Sequence, residues 1–282
     1  MKIAISAEST IDMPKEMLKQ YDIHTIPFTI LLGDSAKLDG ELNPKEIFEY
    51  VLINKVLPKT SAVNEFQFSE YFKILLEKYD GVIHISLSSE MSSAYSNACK
   101  VANELENVYV IDSRSLSTGI ALQAIYANKL VNQGLEIEEI VNKVKLRIPS
   151  TQASFILSRL DYLYKGGRCN AIQLLGSNLL KLHPQIIVND GKLDAHKKFR
   201  GNMSNVVFKY VDATLEEFNN PDLEEVFITY TTANYCVIEQ IKNILKEKGF
   251  KNIHITTAGG TISSHCGEHC LGILYMNDGG VK

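Results

Sequence analysis

Short runs rich in β-branched residues alternate with longer stretches of helical periodicity, and this alternation restricts the chain more than any other feature. The runs are KIAIS at Lys2–Ser6, DIHTIPF around Ile23–Phe28, GVIHIS at Gly81–Ser86 and NVYVID at Asn107–Asp112. Between them, Glu65–Tyr79 sets Phe66, Phe68, Phe72, Leu75 and Leu76 on a helical period, and Leu116–Val131 places Ile120, Ala124 and Leu130 similarly. A strand joined to its neighbour through a helix runs parallel to it, so the first half reads as a parallel sheet on which both helices pack. In an open parallel sheet the loops leaving the carboxyl ends of the strands gather at one edge, where ligands bind. Three polar segments fall there: AESTID, LSSEMSSAYS and DSRSLSTG.

The second half changes pattern. ASFIL near Gln152–Leu157 reads as a strand, SRLDYLYKGGR as a helix stopped by Gly166 and Gly167, and HPQIIVNDGKLDAHKKFRG as a hairpin turning at Asn189, Asp190 and Gly191. Helix Met203–Phe218, strand Val226–Tyr230, helix Asn234–Lys248, strand Asn252–Thr257 and strand Leu271–Met276 follow, giving a mixed α+β unit. A length of 282 residues suits two α/β domains, divided near Pro149 into 1–150 and 151–282. There is no internal repeat or low-complexity linker.

With 45% apolar and 22% charged residues the chain can build a sizeable core, and a net charge of -4 argues against a partner bound through a phosphate backbone. Nucleic acid is therefore not expected. The first apolar stretch reaches Glu8 too soon for a secretory signal, and no run approaches a membrane span. The five scattered cysteines fit reduced thiols, so a cytoplasmic location is expected.

Several segments are chemically suggestive. Thr60 and Ser61 stand just ahead of a helical pattern, where capping backbone N–H groups is the ordinary use of hydroxyls. Ser92 and Ser93 open another helix after a strand, where hydroxyls and backbone N–H groups together hold an anion. Two such segments in one domain fit a carboxylate or phosphate pocket. His265, Cys266, His269 and Cys270 are all possible zinc ligands, but their spacing is wrong for a structural site, and unliganded loop residues are expected. No GxSxG elbow surrounds a serine, and no GxGxxG follows the first strand to make Asp112 a ribose ligand. AGGT at Ala258–Thr261 reads as a turn. Lys165–Arg168 and His196–Gly201 are basic within an acidic protein, either as a solvated face or as a docking surface for an acidic or phosphate-bearing partner.

In order along the chain, ESTID, KTS, SSEMSSAYSNA, DSRSLSTG, LDYLYKGGR with GSNLLKLHPQIIVNDGKL, and SHCGEHCLG resemble the successive signatures of the DegV family, over nearly the whole length. KGGR and the following LLKLHP and DGKL are the strongest matches. Three segments depart from the family's wording: Ala62 and Val63 stand where a glutamine and proline usually follow KTS, Ser92-Ser93-Ala94 replaces SGT, and His265 to His269 replaces HTGPG.

The resemblance implies a two-domain α/β fold, with an N-terminal Rossmann-like parallel sheet covered by helices on both faces and a C-terminal α+β domain. One long-chain fatty acid, such as palmitate, stearate or oleate, would lie between the domains. Residues matching Thr60, Ser92 and His265, with Ser61 and Ser93 beside them, would hold its carboxylate. A separate ATP-using fatty acid kinase would phosphorylate the bound acid, making this chain a carrier without catalytic residues, metal or cofactor. Arg168 and Arg200 would meet the kinase or the transferred phosphate, and transient contact with a membrane surface is compatible. Two other readings are a lipid hydrolase or phosphotransferase using Ser92, His265 and Asp112, and a sensor of another small molecule.

Overall fold

The computed structural model describes residues 1–169 and 182–280, so the Gly176–Lys181 part of the GSNLLKLHP motif lies outside the described residues. The first strand, Ile3–Glu8, is buried throughout and sits inside a four-stranded sheet, between Ile23–Ile26 and Gly81–Ser86, with Val108–Asp112 beyond. All three pairings are parallel. A strand covered on both faces has no polar side, and GVIHIS accordingly buries all six of its residues.

Thr151–Ile156 opens a second, six-stranded sheet. Its order runs Lys192–Arg200, Leu182–Asn189, Thr151–Ile156, Leu271–Met276, Glu225–Tyr230 and Asn252–Thr257. Only the last pair is parallel. The hairpin turn forms as its residues dictate, with Asp190 (φ 45) and Gly191 (φ 77) both left-handed as a type I′ turn requires. Gly191 is needed on a second count, since a β-carbon there would sit 2.6 Å from Ser88 Oγ and 2.8 Å from the Arg114 guanidinium carbon.

The helix Thr118–Asn132 packs on more than the parallel sheet. It touches Ile3–Glu8 and Gly81–Ser86 on one side and Thr151–Ile156, Glu225–Tyr230 and Leu271–Met276 on the other. Lying between two sheets, it buries residues all round, including Thr118, Gly119 and Gln123. One continuous core therefore runs from the parallel sheet through this helix to Phe155, Ile186, Phe227 and Leu274 of the second sheet. The far face of that sheet is covered by helices Met203–Glu217 and Tyr235–Lys248 around a separate cluster that includes Tyr210, Ile241 and Tyr275.

A small antiparallel sheet, Ser35–Leu38, Thr29–Leu32 and Lys59–Ser61, was not foreseen, and it alters one expectation. Thr60 and Ser61 do not cap the following helix, Glu65–Leu76. Asn64 does, in a capping box with Gln67, which leaves the two hydroxyls on a short strand.

Candidate functional site

The loops at the carboxyl edge of the parallel sheet, the small sheet and the second sheet converge on a cavity of about 290 Å³. Its wall takes Leu87, Met91, Ser92, Ser93 and Leu116 from the first, Phe28, Thr60, Ser61 and Ala62 from the second, and Phe155 and Leu193 from the third. The helix Gly260–Cys266 adds Thr261, Ile262, His265 and Cys266. A small apolar void adjoins it, sharing Leu116, Phe155, Ile262 and Cys266.

All five expected carboxylate-binding residues thus meet in one wall, and Arg168 joins them. Arg168 donates to the carbonyl of Gly166 at 2.6 Å and reaches across to that of Met91 at 3.4 Å. Arg200 is placed elsewhere, exposed at the end of an edge strand and outside the cavity lining.

His265 belongs to a helix and not to a loop as the sequence suggested. That helix is only seven residues long and opens on two glycines, so its own propensity is poor. Its free N–H groups are taken by carboxylates from the first half of the chain. Gly259 N–H donates to Asp12 (2.7 Å), and Gly260 and Thr261 N–H donate to Asp39 (2.8 and 3.3 Å). Ser117 and Ser9 hydroxyls hold the two carboxylates in turn. Burial, against the hydrogen bonds and aided by the neighbouring Asp39 charge, pushes the Asp12 carboxyl up to about 8. With these amides occupied, Ala258–Thr261 is a strand-to-helix junction with no opening for a phosphate.

The imidazole of His265 reaches Thr60 Oγ1 through Nε2 at 2.9 Å. Nδ1 is buried without a partner, facing Gly166, where a β-carbon would lie only 2.5 Å away. Burial, and then the Arg168 charge, lower its pKa to about 4, so the ring is neutral at pH 7. A buried N–H without an acceptor is costlier than an idle lone pair, so the ring proton sits on Nε2 and is donated to Thr60. Thr60 then has its own O–H to give to the cavity. Ser92 is arranged alike, because its oxygen accepts the Ala94 N–H at 3.1 Å and its proton remains available.

The loop carrying Ser92 is pinned at several points. Leu87 N–H donates to buried Glu8 at 2.9 Å, Ser88 Oγ to the Gly191 carbonyl at 2.7 Å and Ser89 Oγ to Asp112 at 2.5 Å. Asp112 is therefore an anchor for Ser89 and an ion-pair partner of Arg114. It makes no bond to His265, and the relay Ser92, His265, Asp112 is not assembled. His269 is exposed and bonded to Thr232, away from the His265–Thr60 pair. Among the described residues no three His, Cys, Asp or Glu side chains gather to hold a metal ion, and no helix is long and apolar enough to cross a membrane.

Sequence reasoning missed the apolar wall and the capping role of both aspartates, although Asp12 lies in the AESTID segment. Phe155 and Leu193 read as ordinary core residues of strands, and nothing local marks Asp39 as the cap of a helix more than two hundred positions away.

Known proteins resemble this chain along its length. The family model described as "Uncharacterised protein, DegV family" matches residues 2–278. A Thermotoga maritima protein named "Fatty acid-binding protein" is 31% identical, over 96% of each chain. A Thermotoga maritima structure described as revealing a fatty acid binding function is 28% identical with a TM-score of 0.83, covering 98% of this chain and 99% of its own. A DegV family structure from Thermus thermophilus superposes with a TM-score of 0.90 at 22% identity, covering 98% of this chain and 100% of its own.

Proposed function

The chain belongs to the DegV family, and from that premise we propose that it is a carrier that buries the tail of one long-chain fatty acid and presents the carboxylate to a partner kinase. The observation that carries this reading is the pairing of two directed hydroxyls with an apolar cavity. Thr60 and Ser92 each have an oxygen engaged by a protein donor, so each offers a proton to an anion at the same rim. Ser61 and Ser93 stand beside them, and the Arg168 guanidinium, hydrogen-bonded to the carbonyls of Gly166 and Met91, supplies a positive field.

A carboxylate needs donors, and its tail needs only surface to cover. Burying a sixteen-carbon chain is worth roughly 12 kcal/mol gross, from which the costs of association are subtracted. Leu87, Met91, Leu116, Phe155 and Leu163 provide that surface. The ligand would then lie between residues 1–150 and 151–282, taken as two domains.

In this reading the kinase supplies ATP chemistry, and the carrier holds no cofactor and acts in the cytoplasm, with transient membrane contact to exchange its cargo. Exposed Arg200 would face the kinase. The alternative of a hydrolase or phosphotransferase loses its third member with Asp112 committed to Ser89 and Arg114. A sensor of a different molecule would need a ligand without a long tail.

The test is calorimetric titration of delipidated protein with palmitic, stearic and oleic acids, followed by incubation with a DegV-partner kinase and ATP. Micromolar or tighter binding is expected, with Thr60→Val weakening it about tenfold, as for one lost charge-assisted hydrogen bond. Arg200→Glu is expected to slow phosphorylation and leave binding intact. Absence of binding to all three acids would sink the reading.

A further inference from the structure

The hairpin formed by Leu182–Asn189 and Lys192–Arg200 sets its turn against two loops of the parallel sheet, those that follow Gly81–Ser86 and Val108–Asp112. The hairpin belongs to the second sheet and the loops to the first, and polar contacts join them across the seam. Arg114 is at the centre. Its guanidinium donates to the Asp190 carbonyl and pairs with the Asp190 carboxylate at 2.8 Å, with Glu90 at 3.4 Å and with Asp112 at 3.6 Å. Lys192 meets Glu90 at 3.5 Å, and Ser88 Oγ donates to the Gly191 carbonyl at 2.7 Å.

These contacts run directly beside the cavity wall. Ser88 follows Leu87, Glu90 precedes Met91, Arg114 lies two positions before Leu116, and Lys192 precedes Leu193. Leu87, Met91, Leu116 and Leu193 are all buried, so an acyl tail packed among them enters or leaves only where the wall parts. At this seam the wall is held by ion pairs that stay partly in water, the Arg114 side chain being 25% and that of Asp190 86% exposed. Such pairs break at little cost, unlike strand pairing or buried apolar packing. The backbone adds a second observation. Arg114 (φ 48) and Ser117 (φ 51) are both left-handed without being glycine, and they bracket Leu116. The Asp112 carboxylate accepts the Arg114 N–H at 3.0 Å and holds the first of them in place. Strain of this kind gathers at ligand clamps and switch segments.

We infer that Arg114, with Asp190 and Glu90, is a latch on the cavity: closed, it shuts the seam over the acyl tail, and its opening lets the fatty acid in and out. This rests on the fatty-acid reading and adds the route of exchange. None of the three residues lines the cavity. Losing the latch therefore changes how fast the ligand passes and leaves the bound state as it was.

The experiment is stopped-flow fluorescence on delipidated wild type, Arg114→Met and Asp190→Asn. It follows uptake of parinaric acid, a fluorescent long-chain fatty acid, and then its displacement by excess palmitic acid. Methionine keeps an unbranched stem at 114, and asparagine suits the left-handed turn position at 190. Arg114→Met should speed association and dissociation together, each by about five- to tenfold, as for the loss of a small exposed ion-pair network. Its dissociation constant should stay within about twofold of wild type, because a gate lowers the barrier in both directions. Asp190→Asn should move both rates the same way by about two- to threefold. Unchanged rates in both variants overturn the inference and leave the carrier reading in place. Faster dissociation alone, with weaker binding, also overturns it, since Arg114 would then support the shape of the site. If Arg114→Met shows no cooperative melting transition, the Asp190→Asn rates decide. Failure of wild type to take up either acid overturns the carrier reading and the latch with it.

Discussion

His265 is a neutral imidazole held against its ordinary titration, and that has a consequence for stability. Its pKa is 6.5 when free and about 4 in the folded protein, with burial as the main cause. Between those values the unfolded chain takes up a proton that the folded chain does not, so stability declines as pH falls from 6.5 to 4 and the loss is complete below it. His265→Gln should flatten that limb by up to about 3 kcal/mol, measured as the difference between the two proteins in urea denaturation across the window. A variant whose stability falls as steeply as wild type would mean that His265 titrates normally. At this scale the sequence was informative about which residues matter and poor about what they do locally. Thr60 and Asn64 are both capping types four positions apart, and only the fold shows that Asn64 caps while Thr60 pairs with a histidine 205 residues away.

Among the elements, the strands of the two larger sheets and the helices of twelve residues or more followed from their apolar periodicity, whereas the shorter helices Pro44–Asn54 and Ile137–Arg147 were not anticipated. Nor was the helix Gly260–Cys266, because GTISSHC contains no strong helix former and its start is completed by Asp12 and Asp39. Such a helix exists through tertiary caps, and its stability should reveal it. Asp39→Ala leaves two buried N–H groups without acceptors and should lower unfolding free energy by about 2 kcal/mol or more. Asn64→Ala, at the exposed start of a self-sufficient helix, should cost about 1 kcal/mol. Equal small losses in chemical denaturation would show that the short helix does not depend on its carboxylate seat. The small sheet that carries Thr60 escaped detection for a related reason: its strands are three or four residues long and half exposed, below what alternation can signal.

At the scale of the whole molecule, the helix Thr118–Asn132 joins two sheets into one core, and the cavity opens where their edges and the small sheet meet. The hairpin turn at Asp190–Gly191 reaches back to the first half, where Arg114 pairs with Asp190 and Ser88 holds the Gly191 carbonyl. The parts of the molecule that form the rim are therefore fixed to one another by polar contacts while its interior stays apolar. The gathering of LSSEMSSAYS and DSRSLSTG at one edge was legible from strand alternation, whereas the meeting of that edge with the small sheet and with His265 was carried only by the order of motifs along the chain, through resemblance. Whether this cavity holds a fatty acid is read by mass spectrometry of an organic extract of the purified protein beside a matched control. A long-chain fatty acid in near one-to-one ratio with protein is the predicted result. An extract without such a molecule, from protein that after delipidation takes up no fatty acid, would show that the cavity is not a fatty-acid site.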